Sequence, residues 1–430
     1  MHTLQQLRSG ELKGITRLSL SCGLTEFPDE IFSLADSLGI LDLSNNHLSQ
    51  LPKDLGRLQK LRIIFLSDNQ FTELPTVLKD CPLLDMIGFK SNQIGHVPEE
   101  ALPLNTRWLI LTNNRISALP RSIGNCHRLQ KVALAGNALT RLPAEMANCR
   151  NLELLRISAN QFTALPEWLL KLPKLAWLAF AGNPFSNTHQ TLHTPEQWSW
   201  NELELLGQLG EGASGNIYKA HHRHLAQDIA VKVFKGEVTS DGFPADEMQA
   251  CIAAGDHASL TQVLGEITGH PQQKQGLVLS LIPPSYYNLG LPPSLATCSR
   301  DTFAQGTQFH AAEILKIAKA IASATAHLHA RHINHGDLYA HNILINEQAH
   351  ALMGDFGAAS FYDPESPDAP DLQRIEVRAF GCLLDDLLQN LAPEDASLAV
   401  TQQLQSLRTA CMLEDVEKRP LFAEIGKALA

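Results

Sequence analysis

A single lysine inside an apolar stretch is the first feature of this sequence that suggests chemistry. The stretch reads Ile229-Ala-Val-Lys232-Val-Phe234, and its β-branched composition predicts a buried strand. A lysine is costly to bury unless a counter-charge or an anionic ligand pairs with it. Glu247 follows within residues 246–254, which are predicted as a helix, and we expect it to be that counter-charge.

Two aspartates and an asparagine lie further along the chain, beyond a second predicted helix. Apolar residues recur at helical spacing from Ile314 to Leu328. The chain then reads His335-Gly-Asp337-Leu-Tyr-Ala-His-Asn342, followed by a strand-like Ile-Leu-Ile and later by Gly-Asp355-Phe-Gly357. The 18 residues from Asp337 to Asp355 allow two short antiparallel strands, which would return both acids to one cleft.

A glycine-rich segment precedes the lysine strand. It reads Gly210-Glu-Gly212-Ala-Ser214-Gly215-Asn-Ile217. A G-x-G-x-x-G pattern alone is weak evidence for a phosphate-binding loop. Its position directly before a strand with a buried lysine makes the interpretation stronger, because glycine backbone amides can approach phosphates closely.

Together these motifs resemble the protein kinase family over residues 203–430. The glycine loop, the strand lysine, the catalytic-loop Asp and Asn, and Asp-Phe-Gly occur in the family's order. Glu376-Val-Arg-Ala-Phe-Gly381 is similar to the family's D-V-W-S-F-G helix, and Lys418-Arg419-Pro420 to its closing Arg-Pro. The resemblance implies a two-lobed α+β fold that transfers a phosphoryl group from ATP.

The resemblance also implies a role for each motif residue. Asp337 would accept or orient the proton of the substrate hydroxyl, and Lys232, held by Glu247, would anchor the α- and β-phosphates of ATP. Asn342 and Asp355 would bind Mg²⁺ or Mn²⁺. ATP would contact the glycine loop and a strand and hinge predicted at 277–282, through Gly210, Gly212, Ser214, Gly215, Ile217, Leu279 and Leu281.

Three departures from the family pattern limit the prediction of the substrate. Gly336 replaces the usual Arg, so activation through an Arg-bound phosphorylated loop is not expected. Tyr339 stands where Ser/Thr kinases place Lys, and His341 where Tyr kinases place Arg. Between Asp355 and Glu376 no clear A-P-E occurs, and Asp363-Pro-Glu365 is a weak substitute. We expect Ser/Thr specificity; a small-molecule kinase and a non-catalytic nucleotide-binding scaffold (a pseudokinase) are the alternatives.

The first half of the chain contains an internal repeat. Asparagines recur at intervals of 22 or 23 residues, each closing the pattern L-x-x-L-x-L-x-x-N-x-L: Asn46, Asn69, Asn92, Asn114, Asn137, Asn160 and Asn183. This pattern resembles the leucine-rich-repeat family and predicts a curved α/β solenoid in which stacked repeats share one core. The boundaries are predicted as 12–190 for the repeats, 191–202 for a linker and 203–430 for the kinase domain. The whole is similar to leucine-rich-repeat protein kinases of bacterial type.

Three cysteines occupy a position that other repeats fill with leucine. Cys81, Cys126 and Cys149 each follow a repeat proline by the same offset. A free cysteine behaves as a small hydrophobe, so buried packing is expected. Redox sensing by Cys126 and Cys149 is the alternative.

Residues between the consensus leucines would face the concave side of the solenoid. This face is predicted to carry apolar and aromatic side chains: Ile63, Phe65, Met86, Trp108, Ile110 and Trp177. An apolar face of this kind indicates a binding surface for a protein. Its partner would be a substrate, a regulator or this chain's own kinase domain. An uncharged scaffold face without a partner is the alternative.

Composition and charge set the remaining expectations. Of the 430 residues 44% are hydrophobic and 18% charged, which favours folded domains over long disorder. Residues 1–190 carry a net charge of +3 and residues 191–430 one of −14, so the acidic half disfavours nucleic acid as a partner. No apolar run is long enough to span a membrane and the first residues lack a signal peptide, so a cytoplasmic location is expected.

Overall fold

The computed structural model describes residues 2–186, 195–212, 214–236 and 238–430. The chain forms two compact units, Met1–Leu172 and Pro173–Ala430. The predicted linker at 191–202 and the end of the predicted repeat domain at 190 lie partly outside the described residues. Among the residues described, no helix is both long and apolar enough to cross a bilayer.

Short parallel strands form the sheet of the first unit. Each strand spans three residues, and neighbours pair in register, as Ile63 does with Met86. The strands are β1 (Arg17–Ser19), β2 (Ile40–Asp42), β3 (Ile63–Phe65), β4 (Met86–Gly88), β5 (Trp108–Ile110), β6 (Lys131–Ala133) and β7 (Leu154–Arg156). The return segments contain helix α2 (Glu167–Leu170) and the 3₁₀ turns Asp29–Leu34, Leu55–Arg57, Thr76–Asp80, Arg121–Asn125 and Ala144–Asn148, and helix α1 (Leu4–Arg8) precedes β1. This is the solenoid that the repeat predicts.

The repeat asparagines connect neighbouring repeats. The Nδ2 of Asn92 donates to the carbonyl oxygens of Leu66, one repeat back, and of Phe89 and Lys90 in its own repeat, over 2.9 to 3.2 Å. Its Oδ1 accepts the backbone N–H of Phe71 over 3.0 Å. Each such asparagine satisfies backbone groups that a strand end would otherwise leave buried without a partner, which explains why the residue recurs.

The repeat cysteines are packing residues. Cys81, Cys126 and Cys149 are fully buried, and each Sγ lies 3.4 to 3.7 Å from a carbonyl oxygen of the preceding repeat. Burial raises the pKa of the Cys126 thiol to about 11 and that of Cys149 to about 12. The thiols therefore stay protonated at neutral pH, which favours packing over redox sensing.

The side chains predicted to form the concave surface differ in exposure. Phe65, Trp108 and Ile110 are partly exposed, whereas Ile63 and Met86 are buried. Trp177 is only 1% exposed, so its side chain is not open to a separate protein, and of the partners predicted for this position only this chain's own kinase domain agrees with the burial. Its indole is instead buried inside the second unit, as described below.

The second unit begins at Pro173 and includes strand β8 (Trp177–Ala179), whose residues carry the repeat pattern. Its smaller lobe is an antiparallel sheet with one parallel strand at its edge. The strands are β9 (Gln197–Ser199), β10 (Leu203–Glu211), β11 (Gly215–His222), β12 (Gln227–Phe234), β13 (Val263–Thr268) and β14 (Gly276–Ser280), in the spatial order β10-β11-β12-β14-β13-β9. Trp198 of β9, which the sequence places in the linker, packs into the core of this sheet with Ile229 and Val278.

Helix α3 (Pro244–Ala254) packs against the small-lobe sheet through Met248, which contacts Leu277 and Phe234. A helical lobe follows. Its helices are α4 (Ala311–His329), α5 (Ala369–Gln389), α6 (Ala399–Cys411) and α7 (Phe422–Leu429). Helix α4 buries Ile314, Ile317, Ile321 and Leu328, the face that the apolar spacing predicts.

Short strand pairs on the helical lobe position the predicted catalytic residues. Strands β15 (Tyr287–Asn288), β17 (Ile343–Ile345) and β18 (Ala351–Met353) form one small sheet, and β16 (Ile333–Asn334) pairs with β19 (Ser360–Phe361). The antiparallel β17–β18 hairpin places the segment before β17 beside the segment after β18. Asp337 and Asp355 lie on those two segments, as the spacing predicts.

Candidate active site

A cleft of about 660 Å³ is lined by residues from both lobes of the second unit. It contains most of the site residues that the sequence predicts: Gly212, Ser214, Gly215, Ile217, Lys232, Glu247, Leu279, Leu281, Asn342 and Asp355. Gly210 lies on β10 beside the glycine loop, and Asp337 is hydrogen-bonded to Asn342. The fold therefore brings these residues together from segments that are far apart in sequence.

Lys232 and Glu247 form a buried ion pair. Lys232 Nζ donates to Glu247 Oε1, and the Glu247 side chain is only 2% exposed. Burial alone would lower the pKa of Lys232, but the carboxylates of Glu247 and Asp355 outweigh burial and raise that pKa. Lys232 is thus held as a cation at the inner wall of the cleft, where it can bind phosphate oxygens.

The glycine loop is the turn between β10 and β11. Gly212 N donates to Gly215 O over 2.9 Å, and Lys235 N donates to Ser214 O over 2.9 Å. A Cβ on Gly215 would lie 2.6 Å from the carbonyl oxygen of Val233, so only glycine fits against β12 there. A Cβ on Gly210 would contact nothing, so the need for glycine at this position does not come from packing.

The predicted hinge strand is β14. It pairs antiparallel with β12, so that Leu277 lies opposite Lys232 and Leu279 opposite Ala230. Leu279 and Leu281 line the cleft together with Ala230 and Ile217. These apolar side chains can pack on the two faces of a planar base.

The catalytic-loop residues Asp337 and Asn342 contact each other directly. Asn342 Nδ2 donates to Asp337 Oδ2 over 2.8 Å and to the Asp337 carbonyl over 3.0 Å. His335 is fully buried and accepts the Asp337 backbone N–H at Nδ1 over 3.3 Å. Its Nε2 donates to the carbonyl oxygen of Gly354 over 2.9 Å, which ties the loop to the residue before Asp355.

Asp355 adopts a backbone conformation that is unusual for a residue with a side chain. Its φ of +54° lies in the left-handed region, and its Oδ1 accepts the Gly357 N–H over 3.2 Å. Gly354 N donates to the Asn342 carbonyl, and Phe356 is buried against the ring of His335. Such left-handed residues persist where the surroundings impose them and cluster at functional sites. Asp355 lines the cleft, as Asn342 does.

The residues at this end of the cleft fit a divalent metal bound with ATP. Because Asn342 Nδ2 donates to Asp337, the amide oxygen Oδ1 is the atom that remains as a ligand. Asp355 adds carboxylate oxygens, and oxygen donors are what hard divalent cations prefer. Phosphate oxygens of ATP and water would complete such a shell.

The residues that line the cleft without having been predicted include His341 and Asp241. His341 donates from Nδ1 to the buried Asp301 over 2.7 Å. Burial opposes protonation of the imidazole, but Asp301, and then Asp337 and Asp355, outweigh it and raise the pKa of His341. Asp241, in the loop before α3, lines the cleft beside Gly357. Neither contact has a local sequence signal, because Asp301 is 40 residues from His341 and Asp241 lies in an irregular loop.

A buried carboxylate is hydrogen-bonded to the backbone just before Asp337. Glu376 of α5 accepts the backbone N–H of Gly336 over 2.8 Å and the Nε2 proton of His329 over 2.6 Å. Burial alone would raise the pKa of Glu376, but His329, His335 and the Gly336 N–H outweigh it and lower that pKa. Glu376 is therefore a structural anion, as expected for the first residue of the motif it begins.

Two departures predicted from the sequence have clear structural outcomes. The Tyr339 ring is buried, so it does not project into the cleft as a lysine at that position would. Glu365 is exposed in the turn before α5, whereas the guanidinium of Arg419 donates to the carbonyl oxygens of Leu413, Arg374 and Pro173. Backbone carbonyls therefore accept from all three guanidinium nitrogens of the closing Arg-Pro motif.

Comparison with protein families identifies both halves of the chain. The protein kinase domain matches residues 203–378, and the leucine-rich repeat matches residues 36–94, 104–162 and 127–185. A protein kinase domain implies ATP and a divalent metal as its ligands.

Curated relatives are similar to the kinase half. The chain is 25% identical over 214 residues to serine/threonine-protein kinase PITSLRE of Drosophila melanogaster, covering 45% of this chain and 22% of the relative. It is 26% identical over 168 residues to cyclin-dependent kinase 11.1 of Caenorhabditis elegans, covering 38% and 22%. It is also 25% identical over 211 residues to cyclin-dependent kinase 10 of Bos taurus, covering 44% and 55%.

The chain thus matches 22% of the length of the first two relatives and about half of the third. All three come from eukaryotes, so the bacterial type that the repeats suggest stays a prediction. The motifs, the cleft geometry and the family matches agree: the chain carries a leucine-rich-repeat region followed by a protein kinase domain whose relatives include a serine/threonine-protein kinase.

Proposed function

We propose that this protein is an ATP- and Mg²⁺-dependent protein kinase that phosphorylates serine or threonine, with Mn²⁺ as the alternative metal. One observation carries the proposal. The paired Lys232, Asn342 and Asp355 line one cleft that is large enough for a nucleotide, and Asp337 is hydrogen-bonded to Asn342. Phosphoryl transfer needs positioning and charge neutralisation, and these residues supply both.

Each residue has a defined task in this proposal. Lys232 binds the α- and β-phosphates, and Glu247 keeps Lys232 extended toward them. Asp337 accepts the proton of the attacking hydroxyl while the oxygen–phosphorus bond forms and the bond to ADP breaks. The metal, when bound, neutralises charge on the phosphates, and Asn342 and Asp355 hold it.

Specificity for serine or threonine rests on the relatives, one of which is named a serine/threonine-protein kinase. Tyr339 and His341 do not decide the matter, because neither is the residue that Ser/Thr or Tyr kinases place there. A small-molecule kinase on the same fold is a second candidate. The short segment between Asp355 and α5, which begins at Ala369, favours it because little chain is available to hold a peptide.

The repeats are proposed to recognise a target protein or to regulate the kinase. Phe65, Trp108 and Ile110 support this role because they are apolar and partly exposed on strands β3 and β5. The Phe65 ring lies over Gly88 of the next strand, where a Cβ would approach it to 2.7 Å. A cytoplasmic location belongs to the same proposal and rests on the sequence alone.

The proposed function is tested by autophosphorylation of the full chain with labelled ATP and Mg²⁺, beside Asp337→Ala. Phosphosites are mapped by mass spectrometry. Label on Ser or Thr in the wild type alone supports the proposal, and label on Tyr would change the specificity. ATP binding without label would contradict the proposal and favour a small-molecule kinase or a scaffold, which ATP hydrolysis with candidate metabolites then separates.

A further inference from the structure

Strand β8 packs against the catalytic loop. The indole of Trp177 stacks on the phenol ring of Tyr339, with ring centroids 4.3 Å apart and planes 6° from parallel. The indole Nε1 donates to the carbonyl oxygen of Leu338 over 3.0 Å. Trp177 and Tyr339 are 1% and 5% exposed, so the contact is a fully buried one. It reaches the two residues that directly follow Asp337.

The same strand is one of the reasons that position 336 is glycine. Gly336 has a φ of +72°, and a Cβ there would lie 2.9 Å from the carbonyl oxygen of Leu178 and 2.6 Å from that of Ala358. An arginine at this position would have to displace β8. The arginine that the family uses to sense a phosphorylated loop is thus disfavoured by the left-handed backbone, by the Ala358 carbonyl and by the β8 residue Leu178.

Further hydrogen bonds hold residues 173–180, the β8 segment, to other parts of the catalytic domain. Phe180 N donates to Ser360 Oγ over 2.9 Å, which reaches the segment after Asp355. Arg378 of α5 donates to the carbonyl of Lys174 over 3.1 Å, and the buried Arg419 donates to that of Pro173 over 2.8 Å. The segment is therefore attached at several points, and Trp177 is its contact with the catalytic loop.

We propose that Trp177 is a positioning residue for phosphoryl transfer, which holds the catalytic loop in its working geometry through Leu338 and Tyr339. The inference rests on the proposed function. This chain lacks the arginine that would bind a phosphorylated loop. The permanent contact of Trp177, on the last repeat strand, with the catalytic loop takes the place of that interaction. The kinase would then be active without a phosphorylated loop.

Physical reasoning supports a role in rate rather than in ATP binding. The stacked ring and the indole N–H fix both the plane of Tyr339 and the peptide bond of Leu338, immediately after Asp337. Lys232 and Leu279, which are proposed to bind the phosphates and the base, belong to the small lobe, and Trp177 is not among the residues that line the cleft. A misplacement of about 1 Å can lower a rate by about 10²-fold.

The test uses the full chain and three variants. Trp177→Leu removes the stacked ring and the N–H donor, and Trp177→Phe keeps a ring but removes the donor. Trp168→Leu, on α2 in the first unit, is a matched control for the loss of a tryptophan. For each variant the maximal autophosphorylation rate, the half-saturating ATP concentration, amide hydrogen exchange over residues 335–342 and the midpoint of thermal unfolding are measured.

We expect Trp177→Leu to lower the maximal rate by about 10-fold or more, with half-saturating ATP within about 2-fold of wild type. Exchange over 335–342 should accelerate, Trp177→Phe should recover much of the rate, and Trp168→Leu should match wild type. A folded Trp177→Leu variant with wild-type rate and wild-type exchange would overturn the inference, and so would a uniform loss of ATP affinity. If Trp177→Leu does not fold, Trp177→Phe and Tyr339→Leu decide in its place by the same criteria.

The exchange measurement also separates this inference from the proposed function. A wild-type chain that transfers no phosphate would refute the proposed function. Faster exchange over 335–342 in Trp177→Leu would still support the loop contact in that case, and unchanged exchange would refute it.

Discussion

The side-chain amide of Asn342 donates to Oδ2 of Asp337 over 2.8 Å and also to the Asp337 backbone carbonyl. The bond fixes the orientation of the proposed base and leaves the amide oxygen of Asn342 as the atom that could bind a metal, in a cleft that Asp355 also lines. One side chain thus links the acid–base group to the metal-binding residues. Its removal should affect both.

Asn342→Ala is expected to lower the maximal phosphoryl-transfer rate about 10–100-fold and to raise the half-saturating metal concentration by a similar factor. The cause is the loss of one metal ligand together with the loss of the Asp337 contact. Metal titrations of the autophosphorylation rate measure both effects. Asn346→Ala, in the β17–β18 turn, is the control and should change neither. An unchanged metal requirement in Asn342→Ala would rule out the assigned ligand.

The Lys232–Glu247 pair gives a prediction that separates stability from function. Lys232→Met leaves the buried Glu247 without its cation and should cost about 3–5 kcal/mol of unfolding free energy. The double variant Lys232→Met, Glu247→Met should recover most of that stability, because two apolar side chains replace two buried charges.

Binding should behave differently from stability in the same two variants. ATP binding should weaken about 10–100-fold in Lys232→Met and should not return in the double variant, since the phosphate ligand is still missing. Urea unfolding and equilibrium titration with a fluorescent ATP analogue measure the two properties. Recovery of binding in the double variant would contradict the role of Lys232.

Asp246 gives a pH-dependent prediction. Burial at the start of α3 raises the pKa of Asp246 to about 6, from an ordinary value of 3.8. The folded state therefore binds a proton more tightly than the unfolded state, and stability rises as pH falls from about 6 to about 4. Asp246→Asn should be more stable than wild type by about 1–3 kcal/mol at pH 8, with the gain vanishing near pH 4. Urea unfolding at several pH values measures this, with the exposed Asp256→Asn as control. If Asp246→Asn is only as stable as wild type at pH 8, burial of the charged Asp246 carboxylate does not destabilise the protein.

The contacts of the β8 segment predict where a kinase fragment can begin. A fragment of residues 203–430 loses the carbonyl partners of Arg378 and Arg419 and exposes Tyr339. It should unfold at least roughly 10 °C below a fragment of residues 173–430, since two lost hydrogen bonds of partly buried guanidinium groups and a lost aromatic contact together cost several kcal/mol. Differential scanning calorimetry of both fragments makes the comparison. Equal midpoints would mean that the segment adds no stability.

The repeat asparagines should contribute much more to the free energy of unfolding than other asparagines of the solenoid do. Asn92→Ala removes four hydrogen bonds and leaves buried carbonyls unsatisfied, so we expect a loss of about 2–4 kcal/mol. Asn105→Ala removes one exposed bond and should cost less than about 1 kcal/mol. Chemical denaturation of both variants tests this contrast. Similar losses of stability would show that the repeat asparagine contributes no more to stability than an exposed asparagine does.

Most of the fold follows from two kinds of sequence signal. The 22- or 23-residue period predicts the stacked strands because each strand residue repeats its neighbour's environment. The kinase motifs predict the cleft because charged residues within apolar segments, such as Lys232 and Asp355, are unfavourable to bury unless they meet a counter-charge or a ligand. Both signals are local, and each can be found without knowing which segments meet in space.

What the sequence did not predict depends on contacts between distant segments. Trp177 fits a concave position by its place in the repeat, yet it is buried against Tyr339, 162 residues away. The pairing of His341 with Asp301 is hidden for the same reason, because no periodicity connects them. The linker prediction missed that Gln197–Ser199 would pair with β13, since three residues carry too little pattern to indicate a strand.

The asparagine ladder has a consequence for how the length of the solenoid can vary. Each internal junction makes the same set of hydrogen bonds, as the matching contacts of Asn46, Asn69 and Asn92 illustrate. Insertion or loss of a whole internal repeat would recreate an equivalent junction between its neighbours. The number of internal repeats can therefore change without loss of hydrogen bonds at the new junction. The unit that contains Trp177 lacks this freedom, because its neighbours include the catalytic loop. Natural variation in length should therefore accumulate before the last repeat, while that repeat itself is inherited together with the kinase.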